Sequence, residues 1–331
     1  MQFEIIGTGA IGLLFAAKLK VAGYAVRLWA TSTERSILFC ERGITYYSPA
    51  GEVQSVTGLT SLALSQHVEN ELAITDSSPY IQAREGVEDS SLKYILLAVK
   101  QSHLDEALLL DISKLVTSRS SYSAVIAIQN GCGHIDRLAQ HINIPIITAV
   151  TSEASKRIET AAISHTGQGE TWIGDELGRD NGSVQQKNIE NALQKAGFKV
   201  FMSKNIKERV YRKLISNAVV NPLTALFDVT NGDLPNTKSR LKLMESLFLE
   251  SKRILMAEEP ALASSSFNDI LSLCRATASN TSSMRADLLA GVKTEIAYIN
   301  GAIVAIAARH QMSAPLNESI VHMIEALHPD Q

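Results

Sequence analysis

Up to about Ser203 the apolar positions fall into short, nearly continuous runs: "FEIIG", "AVRLWA", "YILLAVK", "SAVIAIQNG" and "PIITAV". Between them lie stretches with helical spacing, the first over Ala10 to Lys20. Apolar strands that alternate with helices predict a parallel sheet covered on both faces. From about Lys204 the strand pattern stops and 3.6-residue periodicity continues to the end, through "LKLMESLFLESKRILMAEE" and "TEIAYINGAIVAIAARH". The chain is therefore read as an α/β protein. Residues 1–203 form a doubly wound, Rossmann-type sheet domain, and residues 204–331 form an all-helical domain.

Two stretches fit this scheme less directly. "ITYYSPAGEVQSVTGLT" predicts a short hairpin or strand pair, and the run from Asp76 to Ser91 a polar connection. The glycine-rich "ISHTGQGETWIGDELGRDNGS" predicts turns and edge strands near the end of the first domain.

Within the first βα unit, "IIGTGAIGLL" places Gly7, Gly9 and Gly12 in the spacing G-x-G-x-x-G. The first glycine permits a tight turn, the second lets a pyrophosphate approach the backbone, and the third lets helix and strand pack closely. Flanked by a strand and a helix, the loop Gly7, Thr8, Gly9, Ala10, Ile11 and Gly12 is read as a dinucleotide site, with phosphate at the helix N-terminus. The second strand ends without the acid that holds a ribose 2′-hydroxyl in NAD sites. Thr31, Ser32 and Thr33 follow instead, then Glu34 and Arg35. Hydroxyls and a guanidinium suit a 2′-phosphate, so NADP(H) is the expected cofactor. The same residues also make an ordinary helix start, capped by Ser32 or Thr33.

In "YRKLISNAVVNPLTALFDVTNGDL", Lys213, Asn217 and Asn221 share one helix face beside Leu214, Ile215, Ala218, Val219 and Val220. Buried polar groups need partners. A polar substrate is one, and neighbouring helices are another. Asn221 precedes Pro222, which predicts a kink or a helix end there.

Composition narrows the classes of function. At 331 residues the chain is long enough for two domains, and its 45% apolar and 20% charged residues describe a soluble globular protein. A formal charge of -3 offers no attraction to nucleic acid or anionic membrane. Cys40, Cys132 and Cys274 are far apart and odd in number, which points away from a disulfide framework or a zinc site. No apolar run approaches a membrane span, and "MQFEIIGTG" enters a strand at once, so a cytoplasmic location is expected with no metal.

Further segments complete a pattern: "LAVKQ" with Lys100, "IQNGCG" with Asn130, and "SSMRADLLAGVKTEIAYINGAIV" with Ser283, Asp287, Glu295 and Asn300. Together with the glycine loop and the Lys213 helix, and in the same order, they resemble the ketopantoate reductase family (2-dehydropantoate 2-reductase) over nearly the whole chain. The resemblance implies a Rossmann domain, a helical domain and an active site in the cleft between them. It implies NADPH-dependent reduction of a small 2-keto acid, with Lys213 as general acid and Glu295 as the active-site glutamate. Asn217, Asn221, Ser283 and Asn231 match substrate positions, and Lys100 and Asn130 match the nicotinamide end of the cofactor site. The chain departs from the family at Thr31, where an arginine is common, and in a longer Gly43 to Lys93 region. A reductase of another 2-keto acid and a dinucleotide sensor without catalysis are the alternative readings. The helical domain can offer an apolar face to a second copy, so a homodimer is a candidate assembly.

Overall fold

The computed structural model describes residues 1–64, 92–118, 122–178 and 183–328. The polar connection expected at residues 76–91 lies outside them. Two compact units emerge, one of residues 1–129 and 135–206, the other of residues 130–134 and 207–331.

In the first unit the chain runs through β1 (Gln2–Ile6), α1 (Ala10–Val21), β2 (Ala25–Ala30), α2 (Thr33–Arg42), β3 (Ile44–Tyr47), β4 (Val53–Val56) and β5 (Thr60–Ala63). After the undescribed stretch come β6 (Lys93–Leu97), α3 (Glu106–Ser118), β7 (Tyr122–Ala127), α4 (His134–His141) and β8 (Ile146–Thr151). The strands β9 (Ala154–Glu159), β10 (Ala162–Gly167) and β11 (Glu170–Gly174) follow, then α5 (Val184–Lys195) and β12 (Lys199–Met202). The main sheet has the order β12-β11-β8-β7-β6-β1-β2-β5, parallel except where β11 meets β8.

Strand side chains alternate between two separate cores. Phe3, Ile5, Tyr94, Leu96, Ala124 and Ile126 pack on one face with Leu13, Leu14 and Leu19 of α1 and with Ile189 of α5. Ile6, Ile95, Leu97, Val125 and Ala127 pack on the other with Ile112 and Leu115 of α3 and Leu138 of α4. Each fully buried aliphatic side chain contributes roughly 1.5–3 kcal/mol, so neither face can be left uncovered. Glu4, wholly buried between these apolar neighbours, is satisfied by Arg27 Nη1 (3.0 Å), Trp29 Nε1 (2.8 Å) and the Tyr122 hydroxyl (2.7 Å).

A second sheet, in the order β4-β3-β10-β9, packs on α1, and its Ile44, Val56 and Ile163 join the first of those cores. The expected hairpin is present as the antiparallel pair β3/β4. The "ISHTGQGETWIG" stretch differs from expectation. Both its strands are interior, β10 between β3 and β9, and β11 between β8 and β12. Its polar residues are met across the sheet, as where Thr151 and Thr171 share a 2.8 Å hydrogen bond, so polarity here did not signal an edge.

The second unit holds α6 (Ile206–Phe227), α7 (Lys238–Leu255), α8 (Phe267–Ala276), α9 (Ser283–Leu289), α10 (Ile296–Arg309) and α11 (Pro315–Glu325). Leu214, Ala218, Val219 and Leu223 of α6, Met244 and Leu247 of α7 and Ile303 of α10 are fully or almost fully buried. Of the kink or helix end expected at Asn221, the helix end is absent, because α6 runs through Pro222 to Phe227. A proline there cannot donate to the carbonyl four residues back, which belongs to Ala218. Asn300 of α10 replaces that donor, its Nδ2 lying 3.1 Å from the Ala218 oxygen. The same amide lies 3.0 Å from Asn317 Oδ1, so a buried asparagine pair carries the helix past its proline.

Candidate functional site

The glycine loop divides its tasks between packing and access. Gly7 has φ of 109°, and a Cβ there would lie 2.5 Å from the nitrogen of Val99, two residues past β6. A Cβ on Gly12 would lie 1.9 Å from the Gly7 carbonyl oxygen. Both positions exclude a side chain because strand, turn and helix are in contact. Gly9 differs: a Cβ there would meet nothing within 4 Å. Its backbone is the N-cap of α1 in extended geometry, with no side-chain cap and no acid in the first turn, formed by Ala10, Ile11 and Gly12. Bare N–H groups at a helix start, next to open space, fit a pyrophosphate. A dinucleotide therefore suits the residues present.

At the end of β2, Ser32 is the cap of α2, its Oγ accepting from the Arg35 backbone nitrogen at 3.3 Å. The Arg35 guanidinium turns back to Thr31, donating from Nη1 to Oγ1 at 3.1 Å. The cap and the turned-back guanidinium thus share one short segment, residues 31–35. A further cation, Arg157 of β9, donates from Nη2 to the Thr8 carbonyl oxygen inside the glycine loop. Burial lowers its pKa, and Arg35 nearby lowers it further. Sequence reasoning missed Arg157, because nothing local to "ASKRIE" marks it.

Lys100 follows β6 as the start of a short turn whose carbonyl accepts from His103. Asn130 opens the five-residue segment grouped with the helical unit. Both are partly exposed.

In the helical unit, α6 carries Lys213, Asn217 and Asn221 at four-residue steps. Burial lowers the Lys213 ammonium from 10.5 to about 8, while Glu295, close by and itself buried, opposes that fall. Glu295 stands immediately before α10, in the N-cap position. The structure so brings Lys213 and Glu295 together from segments that are far apart in sequence. Asn221 Nδ2 lies 3.5 Å from Ser283 Oγ at the start of α9. One residue earlier, the Ser282 hydroxyl accepts from Thr224 Oγ1 at 2.7 Å. These contacts hold the start of α9 against the Asn221 turn of α6.

Asn231 sits apart from that stripe in sequence. Its backbone nitrogen donates to Asn280, and its Nδ2 donates to Thr277 Oγ1 at 2.9 Å. Its Oδ1 is buried with no hydrogen-bond partner among the described residues. A group of three or more His, Cys, Asp or Glu side chains able to hold a metal ion is absent among the described residues. Among the same residues no helix is long and apolar enough to cross a membrane.

Comparisons with known proteins extend over nearly the whole chain. The family described as ketopantoate reductase PanE/ApbA matches residues 3–177, and its C-terminal counterpart matches residues 205–328. A 2-dehydropantoate 2-reductase of Halobacterium salinarum is 26% identical, with 100% of each chain covered. That of Bacillus subtilis is 27% identical over 99% of this chain and 97% of its own. Among solved structures, D-mandelate dehydrogenase with NADH and anilino(oxo)acetate superposes with a TM-score of 0.81 at 23% identity, covering 99% of this chain and 98% of its own. A ketopantoate reductase of Staphylococcus aureus, described as dimeric, gives a TM-score of 0.71 at 18% identity over 99% and 98%.

Proposed function

From the premise that this chain belongs to the ketopantoate reductase family of oxidoreductases, we propose that it reduces 2-dehydropantoate to pantoate with NADPH. The reaction would be a cytoplasmic step toward pantothenate and coenzyme A. One observation carries the reading: Lys213, with its ammonium lowered to about 8 by burial, stands beside Glu295 on a helix face that also bears Asn217 and Asn221.

The nicotinamide cofactor, when bound, supplies the hydride that reaches the C2 carbonyl carbon. Negative charge then builds on the ketone oxygen, and Lys213 Nζ stabilises that charge and gives up its proton to it. A pKa near 8 suits this role, since the ammonium is still mostly protonated at neutral pH but transfers its proton more readily than an exposed lysine. Glu295 keeps the charged form of Lys213 favoured against desolvation. Asn217, Asn221 and Ser283 orient the substrate carboxylate and hydroxyl through their amides and hydroxyl. The Oδ1 of Asn231, without a hydrogen-bond partner among the described residues, offers an acceptor to a substrate hydroxyl. Lys100 and Asn130 take the nicotinamide end, and the glycine loop with Thr31, Ser32 and Arg35 takes the phosphates. The assembly proposed is a homodimer, which light scattering on the purified protein checks.

The direct test follows the loss of NADPH absorbance with 2-dehydropantoate, with NADH run in parallel. Fast turnover with NADPH is expected. Binding of NADPH without turnover would reject this substrate and direct the search to other 2-keto acids, beginning with aromatic ones of the mandelate type. Binding without turnover of any 2-keto acid would favour a dinucleotide sensor.

A further inference from the structure

Two guanidiniums lie near one another beside the glycine loop and the end of β2. Arg35 rises from the first turn of α2, tied to Thr31. Arg157 comes from β9 of the second sheet, a strand that packs on α1 and pairs Arg157 with Ile163 of β10. Its side chain donates to the carbonyl oxygen of Thr8, between the first two glycines of the loop. Among the described residues neither guanidinium has a carboxylate within 4.0 Å.

Arg35 and Arg157 act on one another as like charges, and the nearby Glu34 is engaged by the Ser32 hydroxyl at 3.2 Å and pairs with neither, so the two guanidiniums are matched to an anion. Each guanidinium retains most of its N–H donors for that anion. Their common location, between the Thr8 turn and the Thr31–Ser32 end of β2, is where a Rossmann fold presents the adenosine ribose. The pyrophosphate belongs instead to the open Gly9 backbone and the α1 N-terminus.

We infer that Arg157 is a specificity-determining residue that, with Arg35, grips the 2′-phosphate of the cofactor from across the glycine loop. This rests on the NADPH reading above. Thr31 at the end of β2 is itself uncharged, and the positive charge beside it comes from Arg35, which folds back on Thr31, and from Arg157 of a different sheet. An Arg-phosphate contact is charge-assisted and often bidentate, and so suits a phosphate monoester better than a hydroxyl.

The test is direct binding without substrate. NADPH and NADH are titrated by nicotinamide fluorescence, and 2′,5′-ADP and 5′-AMP by calorimetry, into wild type, Arg157→Ala and Arg157→Gln. The Gln variant removes the charge but keeps a polar side chain, loop support is read separately from NADH, which needs the glycine loop but not the 2′-phosphate, and circular dichroism confirms the fold of each. Both variants are expected to weaken NADPH and 2′,5′-ADP by about 10- to 100-fold, as for loss of a hydrogen bond to a charged group. NADH and 5′-AMP should stay within about twofold of wild type, the scatter expected when no charged contact is lost. Equal loss for both dinucleotides would overturn the inference by placing Arg157 on the pyrophosphate or on loop support. Unchanged NADPH affinity in Arg157→Gln would overturn it as well. If wild type itself failed to prefer NADPH over NADH, the cofactor reading would fall first, and the inference with it.

Discussion

The glycine loop and the polar face of α6 are both candidate binding elements, but they are made of different material. The loop offers backbone: a left-handed turn at Gly7, an open N-terminus at Gly9, and a helix pressed on a strand at Gly12. The α6 face offers side chains, each needing a partner brought from another helix, such as Glu295 for Lys213 and Ser283 for Asn221. Backbone sites depend on which residues are missing a Cβ, and they tolerate little change in any of them. Side-chain sites depend on chemistry at single atoms, so one truncation removes function while leaving the helix standing.

That contrast is broken most severely at Lys213. Lys213→Ala should lower turnover by about 10²–10⁴-fold, the range for loss of a positioned acid, while NADPH affinity measured by fluorescence stays near wild type. A variant that turned over normally would remove Lys213 from the chemistry. The pH profile sharpens the same point. The protonated ammonium is the active form, so kcat/KM for reduction should fall as pH rises through about 8, the value to which burial lowers Lys213. Glu295 raises that value, so Glu295→Gln should move the basic limb to lower pH. An unmoved limb would sever Glu295 from Lys213.

The two glycines of the loop test its division of labour. Gly12→Ala drives a methyl to 1.9 Å from the Gly7 oxygen and should cost about 1–3 kcal/mol or more of stability, read by urea denaturation. Gly9→Val meets no protein atom and has an ordinary backbone, so its melting temperature should hold. It should weaken dinucleotide binding by about tenfold or more, equivalent to about 1.4 kcal/mol. Matching effects for the two variants would deny that Gly9 faces the ligand.

In the helical unit, Asn300→Ala strands the Ala218 carbonyl that Pro222 cannot serve, and about 1–3 kcal/mol of stability should be lost. A still smaller effect belongs to Glu258. Burial alone would raise its carboxyl, but hydrogen bonds from Tyr211, Arg309 and Lys207 prevail and bring it from 4.5 to about 2. Its depressed pKa contributes stability above the unfolded value near 4.5 that is lost as pH falls toward 2. Because Arg309 is 61% exposed, the contribution should be only on the order of 1 kcal/mol. Glu258→Gln should flatten that part of the stability profile.

Much of the first unit was legible because period and punctuation are local. "FEIIG" followed by Gly7, Gly9 and Gly12 specifies strand, turn and helix within one short stretch, and α1 begins at Ala10 as its spacing predicts. The polar face of α6 was legible as a pattern but ambiguous in purpose, since amides serve capping and substrate equally well. Pro222 left a kink and a helix end open, and the helix continues past it because the donor for the stranded carbonyl lies on α10, 82 residues from the carbonyl it serves. The strands of "ISHTGQGETWIG" were misread as edges, because hydrogen bonds across a sheet leave no mark in the polarity of one strand.

The amino-acid order alone determined the alternation of strands and helices, the glycine loop and the four-residue spacing of Lys213, Asn217 and Asn221, because each follows from the geometry of a few consecutive residues. Tertiary structure alone decided that Arg157 reaches Thr8 across 149 residues of chain, that Glu295 stands beside Lys213, and that Asn300 completes the helix behind them. Those juxtapositions come from packing two sheets on α1 and α10 on α6, and packing is a property of all the contacting surfaces at once.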